Sequence, residues 1–377
     1  MTYINLRVAM TLGAVLFSAN VQALIVLQQF SVPIGLDFDT NPTLSPTDKK
    51  SIMRFTASPR YSVAAVDEKN RWYSNVGLSI VRTTDKKITD DRQDPNINVG
   101  WTRELEKGSF SLTGAYNKSS SRFRELRTSG FVDGDGSSVT KSIAANWTSA
   151  ITERLDYSAG VNLTKNNNSG ATSLVSSSVR KSFNTALTYA LNPRVSPFIQ
   201  YGYTKFEPKG LGSVKNNSQN YVAGVKYAYN PMLNLTMSAG ISQLSTAGNG
   251  KLFNAVADYT GERYTLLAAL NRTVQPSERG NFEEADSFNV TYNYLLTEKS
   301  RFGLLFDWNK NKTADSSNLA GININTTGIR FGANYTKDIT TDWQMRLSAE
   351  ERINKSNNQR ANGEIIGIVF TYNTPEF

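Results

Sequence analysis

The sequence predicts an all-β fold, a transmembrane antiparallel β-barrel of about 18 strands (16–18) behind an N-terminal signal peptide. Three observations predict it. Apolar and polar side chains alternate with period two through most of the 377 residues, short polar links between the runs alternate with long ones, and the chain opens on an apolar leader. The stretch Ser287 to Asn309 shows the alternation best. Phe288, Val290, Tyr292 and Tyr294 fall on one side, and Ser287, Asn289, Thr291 and Asn293 on the other. After Thr297-Glu298-Lys299-Ser300 the pattern resumes, with Phe302, Leu304, Phe306 and Trp308 opposite Arg301, Gly303, Asp307 and Asn309. Leu305 alone is out of phase. Two such runs joined by a short polar link read as a hairpin.

Composition narrows the function classes. There is no Cys and no His, so disulfide frameworks, thiolate metal sites, His-ligated zinc and the Ser-His-Asp and Cys-His mechanisms are excluded. No constellation for an enzyme is left, and no cofactor is expected. The net charge of +9 is scattered rather than gathered into a stripe, which argues against a nucleic-acid partner. Mean hydropathy is −0.39 and no apolar run beyond the N-terminus reaches the ~20 residues of a membrane helix.

Met1 to Ala23 reads as a secretory signal peptide. Arg7 is its only charge, Val8 to Phe17 is largely apolar, and Val21-Gln22-Ala23 resembles a small-residue cleavage site. An uncleaved helical anchor running on through Leu24 to Leu27 is the alternative, opposed by the polar Asn20 and Gln22. The expected organisation is a leader over residues 1–23 and one barrel domain over 24–377.

Taken in order, Ile34, Leu36 and Phe38 make a first strand, broken after Asn41-Pro42. Met53, Phe55, Tyr61, Val63 and Ala65 make a second, in which Pro59 predicts a bulge or kink. Trp72 to Ile80, Ile97 to Trp101, Phe110 to Tyr116, Ile143 to Trp147 and Leu155 to Leu163 follow. The rhythm then continues through Val179–Tyr189, Val195–Lys205, Tyr221–Tyr229, Leu233–Ile241, Phe253–Tyr259 and Tyr264–Leu270. It ends with Phe288–Tyr294, Phe302–Trp308, Ile329–Tyr335, Trp343–Ala349 and Ile366–Tyr372. Short links such as Asp67–Asn70 and Thr297–Ser300 alternate with long ones such as Thr83–Pro95, Asn117–Ser138, Phe206–Ser218, Gln275–Ala285 and Lys310–Gly321. Outer-membrane barrels place short turns in the periplasm and long loops outside, and a soluble sandwich has no reason to.

In hydrocarbon an unpaired backbone group costs several kcal/mol, so only a closed sheet can span. Its outward face must then be apolar and its inward face free to be polar. Arg54, Arg60, Lys226, Arg263, Arg301, Arg330, Arg346 and Arg352, with Asp37, Asp156, Asp258, Asp307 and Glu350, share the polar parity and are the expected lumen-facing residues. Eight bases against five acids predict a mild anion preference, unless the charges pair along the wall. Aromatic residues near strand ends, among them Tyr189, Tyr229, Tyr259, Trp308, Trp343 and Tyr372, suit interfacial girdles. Two calcium-like stretches read as ordinary turns. Asp37 to Asp48 has Pro42 where an EF-hand needs Gly and Asp48 where it needs Glu, and Asp133-Gly134-Asp135-Gly136 reads as a solvated turn.

The opening Gly35-Leu36-Asp37-Phe38-Asp39-Thr40-Asn41-Pro42 resembles the start of outer-membrane β-barrel proteins from bacterial exopolysaccharide and PEP-CTERM (exosortase) loci, which carry a similar aromatic-Asp-x-Asn stretch. The resemblance implies passage of an exopolysaccharide across the outer membrane with periplasmic export components, and it brings no catalytic residues. The chain departs from barrels that end on an aromatic strand: Phe377 is last, but Pro375 and Glu376 precede it. The expected function is thus an integral outer-membrane channel with lipid around it, serving polysaccharide export. A general diffusion porin for small solutes and a structural or adhesive barrel are the alternatives.

Overall fold

The computed structural model describes residues 25–120, 136–169, 177–209, 215–245, 248–276, 282–313, 325–356 and 359–375. The leader, Asp133 to Asp135 and Phe377 lie outside them. The described residues form strands and turns and no helix. The first strands are β1 (Ile25–Asp39), β2 (Ile52–Ala57), β3 (Arg60–Val66), β4 (Asn70–Thr83), β5 (Arg92–Leu105) and β6 (Gly108–Ser120). Next come β7 (Ser137–Ala150), β8 (Leu155–Ser169), β9 (Ser177–Tyr189), β10 (Val195–Lys209), β11 (Asn216–Asn230) and β12 (Leu233–Leu244). The wall is completed by β13 (Gly248–Thr260), β14 (Tyr264–Pro276), β15 (Phe282–Thr297), β16 (Ser300–Thr313), β17 (Asn325–Asp338), β18 (Trp343–Ser356) and β19 (Gln359–Asn373).

Each strand pairs antiparallel with its sequence neighbours, and β1 pairs with β19, so the sheet closes without an edge. β2 and β3 are halves of one stave. Arg54 opposes Asp37 and Arg60 opposes Ser31 on the same unshifted register, and β4 pairs with both halves in one register as well. The barrel therefore has 18 staves. Pro59 makes no bulge: it withholds a donor while its carbonyl still accepts from the Leu78 N–H at 3.0 Å. Real register shifts occur at Ala228/Asn230 and Leu295/Thr297, each beside a short turn.

Directly opposed residues share a face, so the registers carry one parity around the whole wall. One face bears Ile366, Ile199, Val161 and Ile143, all more than half exposed. The other bears Asp39, Arg54, Ser138, Ser218, Ser242 and Thr326, all buried. A closed wall splays side chains on its convex side and crowds them on its concave side. The apolar face is therefore the outside. So many exposed apolar side chains on one surface call for lipid around it.

An aromatic girdle marks the short-turn end of that outer face. Trp343 meets Tyr372 at 5.3 Å, Trp147 meets Tyr157 at 5.6 Å, and Tyr259 stacks on Tyr264 at 4.8 Å. Strands run past the band that lipid needs. Not every link at the far end is long: Leu244 and Gly248 are separated by three residues and Ser356 and Gln359 by two.

Candidate functional site

The candidate site is the inner wall and its mouth. The registers put Asp37, Arg54, Arg60, Asp156, Lys226, Asp258, Arg301, Asp307, Arg330, Arg346, Glu350 and Arg352 on the concave face. Arg263 differs: it sits in the turn between β13 and β14, at the short-turn rim rather than within the wall. Leu305, the residue out of phase, faces inward opposite Thr291 and Gly332.

Parity carried along the observed strands adds three bases to this face, Arg71, Arg92 and Arg180, and five acids, Asp39, Asp94, Glu104, Glu283 and Asp338. The two signs come out level. All but Arg180 escape a sequence reading because they lie at strand ends where the apolar alternation has stopped, and extending each run by up to five residues would have found them. Arg180 lies within the run Val179–Tyr189, on its polar parity.

The inward charges are not evenly spread. A ladder crosses neighbouring strands from β15 to β2. Asn289 Nδ2 donates to Asp307 Oδ1 at 2.7 Å, and Arg330 Nε donates to Asp307 Oδ2 at 2.7 Å. Arg330 Nη1 lies 3.8 Å from Glu350 Oε2. One position further along β18, Arg352 Nη2 reaches Asp39 Oδ1 at 2.5 Å, and Arg54 binds Asp37 at 2.6 Å and Asp39 at 3.4 Å. Arg352 spans the closing seam to do this, because its neighbour on β19 is Gly363. A Cβ at Gly363 would sit 3.0 Å from the Asn41 carbonyl and 3.3 Å from the Arg352 Nη2 that passes over it.

The stretch Asp37 to Asn41 is thereby accounted for. Asp37 and Asp39 anchor two arginines, and Asn41 Nδ2 donates to the Ser45 and Asn362 carbonyls at 2.9 Å each. Of the carboxylates in this would-be calcium loop, Asp37 and Asp39 are held by arginine and Asp48 pairs with Lys50 at 3.1 Å. Elsewhere the inner wall carries amides and hydroxyls among scattered apolar side chains such as Phe198, Leu267 and Val369. Asn146 and Asn184 converge over Gly160, where an added Cβ would meet their Oδ1 atoms at 2.6 and 2.8 Å. Arg60, Arg180, Lys226 and Arg346, and Asp156 and Asp258, make no ion pair among the described residues.

The long-loop mouth is partly roofed. β13 pairs with β14 only as far as Phe253↔Arg272, while β14 stays paired to β15 out to Pro276↔Phe282. The freed end of the β14–β15 hairpin turns inward. Phe282, 1 % exposed, meets Phe206 of β10 edge to face at 6.3 Å. Val274 joins them, with Leu244 and Leu252 packed alongside. β10 and β15 are five strand spacings apart, roughly 24 Å along the wall. The contact therefore folds the hairpin end across the arc of wall from β10 to β15.

No protein-family model matches the chain, and no curated protein matches it. Solved structures do. The outer membrane protein OpdK of Pseudomonas aeruginosa superposes with a TM-score of 0.52 at 7% identity, over 94% of this chain and 99% of that one. OccK3 (OpdO) of the same organism gives 0.51 at 10% identity, over 93% and 95%. OccAB2 of Acinetobacter baumannii gives 0.50 at 12% identity, over 93% and 98%. At these identities the likeness is one of fold: a single closed outer-membrane-type barrel of matching length.

Proposed function

We propose that this chain is a passive channel of the bacterial outer membrane, admitting small polar solutes with weak charge preference. The observation that carries the reading is the two-sided wall: apolar side chains outward, and amides, hydroxyls and level charge inward. A barrel of this strand number leaves an aqueous lumen unless something fills it. The mild anion preference expected from eight bases and five acids gives way to near-neutrality, because the added residues balance the signs and five of the nine inward arginines pair with carboxylates among the described residues. Planar-bilayer recording tests this. A steady conductance with a reversal potential near zero in a potassium chloride gradient is the expected result. Strong selectivity of either sign, or a folded barrel that never conducts, would overturn it.

Export of an exopolysaccharide is the second reading. It is favoured by the Gly35–Pro42 resemblance and by the partial apolar roof over the mouth, which would narrow a wide pore until a partner arrives. Its test is a deletion strain. Loss of surface polymer with the outer membrane intact supports it, and unchanged polymer removes it.

A further inference from the structure

Above the apolar band, the outer face is strongly basic over one sector. Lys141 on β7, Lys165 on β8, Lys181 on β9 and Lys205 on β10 all point outward, on the parity of Ile143, Leu163, Phe183 and Tyr203. They lie eight to ten residues above the short turns, where strands of this tilt leave the hydrocarbon. Lys141 and Lys165 are directly opposed, and so are Lys181 and Lys205. Lys181 opposes Leu163, two residues from Lys165, so the middle pair are diagonal neighbours. Four ammonium groups therefore form one unbroken row.

Like charges directly opposite each other destabilise a sheet. Among the described residues one carboxylate answers the row: Glu207 lies 3.3 Å from Lys205 Nζ. Lys141 Nζ sits over the Tyr116 ring at 5.7 Å, the place of a side chain reaching from the aromatic boundary toward headgroups. Lys165 and Lys181 are exposed and have no ion pair among the described residues. On the opposite sector of the outer face Glu351 and Glu364 are directly opposed, and so are Lys355 and Arg360, so both signs occur there.

We propose that the row Lys141, Lys165, Lys181 and Lys205 is a docking surface for the phosphorylated headgroups of outer-leaflet lipid. Lipid phosphates lie at the height of the row, carry the complementary charge, and remove the lysine–lysine repulsion when bound. The inference rests on the barrel spanning a membrane but not on what the lumen passes.

The test uses the full-length barrel purified in neutral detergent and mixed with diphosphorylated lipid A, or with the same lipid stripped of phosphate. Native mass spectrometry counts the lipid retained. Wild type should retain the phosphorylated form in clear preference, and the preference should fall as salt rises. Each lysine near the surface contributes about fivefold. The variant K141Q/K165Q/K181Q/K205Q should therefore lose up to about six-hundredfold, while the matching Lys→Arg variant keeps the preference. Equal retention of both lipids by wild type, or an unchanged preference in the glutamine variant, would overturn the proposal. So would displacement of the lipid by millimolar inorganic phosphate, because a headgroup surface needs the acyl chains as well. The arginine variant guards against misfolding, and channel conductance recorded on the same preparations separates a failure here from a failure of the channel reading.

Discussion

Asp39 is where a single substitution tells most about how this wall is closed. Its side chain is fully buried, and Oδ1 accepts from Arg352 Nη2 at 2.5 Å and from the Asn41 N–H at 3.1 Å, while Oδ2 lies 3.4 Å from Arg54 Nη2. Asp39→Ala removes all three at once. Arg54 keeps Asp37 at 2.6 Å, but Arg352, with only 11% of its side chain exposed, loses its one carboxylate partner. Breaking a buried pair from one side costs about 3–5 kcal/mol, because the remaining charge stays desolvated. The orphaned Asn41 N–H adds about 1 kcal/mol. Some water will enter from the lumen, so about 3 kcal/mol of lost stability is expected. The assay is denaturant-driven unfolding in micelles, followed by tryptophan fluorescence and by the gel shift of the folded barrel. Arg352→Ala should cost a similar amount. The double variant should cost clearly less than the sum, with a coupling of about 2 kcal/mol. If both single variants unfold within about 0.5 kcal/mol of wild type, or if their effects simply add, the seam is not held by this pair.

Three further outcomes follow from the geometry. Gly363→Ala places a Cβ against the Asn41 carbonyl and the Arg352 guanidinium, so it should destabilise by about 1–3 kcal/mol in the same unfolding assay. The pair F206A/F282A removes the contact that partly roofs the mouth and should raise single-channel conductance, with unchanged conductance counting against the roof. In the turn before β4, Asp67 accepts the Lys69 and Asn70 N–H groups at 2.8 and 2.6 Å, and these hold its carboxyl below the usual range. A lowered carboxyl pKa contributes stability above the unfolded value and loses it as pH falls through the folded value. The gap between wild type and Asp67→Asn should thus be present at neutral pH and close below the ordinary aspartate range; a gap that widens on acidification contradicts the assignment.

What could be read from the residues, and what could not, divides at the edge of the lipid. Inside the band every second side chain must tolerate hydrocarbon, so Leu233 to Ile241 shows its strand without ambiguity and parity alone places Arg330 and Asp307 inward. Beyond the band water wets both faces and the alternation lapses while the ladder continues. Hence Phe206–Lys209, Phe282–Ala285 and Lys310–Thr313 read as loop and are strand. Pro59 misled for a related reason. A proline in a closed wall costs one donor, and two staves in fixed register on either side leave no slack for a bulge. The partnership of Arg352 and Asp39 was out of reach, because 313 residues separate them and only closure of the barrel brings them together.

The wall has two short joints, and each carries a device of its own. The seam between β1 and β19 is paired only from Ser31↔Asn373 to Asp39↔Ile365, and the joint between β13 and β14 only from Thr260↔Thr265 to Phe253↔Arg272. Elsewhere the ladders run nearly the full strand. At the seam, the strands come from opposite ends of the chain, no turn enforces their register, and a slip by one residue would turn every lipid-facing side chain inward. A buried pair that reaches over Gly363 sets that register, because Arg352 meets Asp39 in one alignment only. At β13–β14 a tight turn already fixes register, so the lost pairing can be given over to the hairpin end that folds across the lumen. The stretch Gly35–Pro42 thus marks first of all where the barrel is locked shut, and its mouth is shaped at the joint that could be left open.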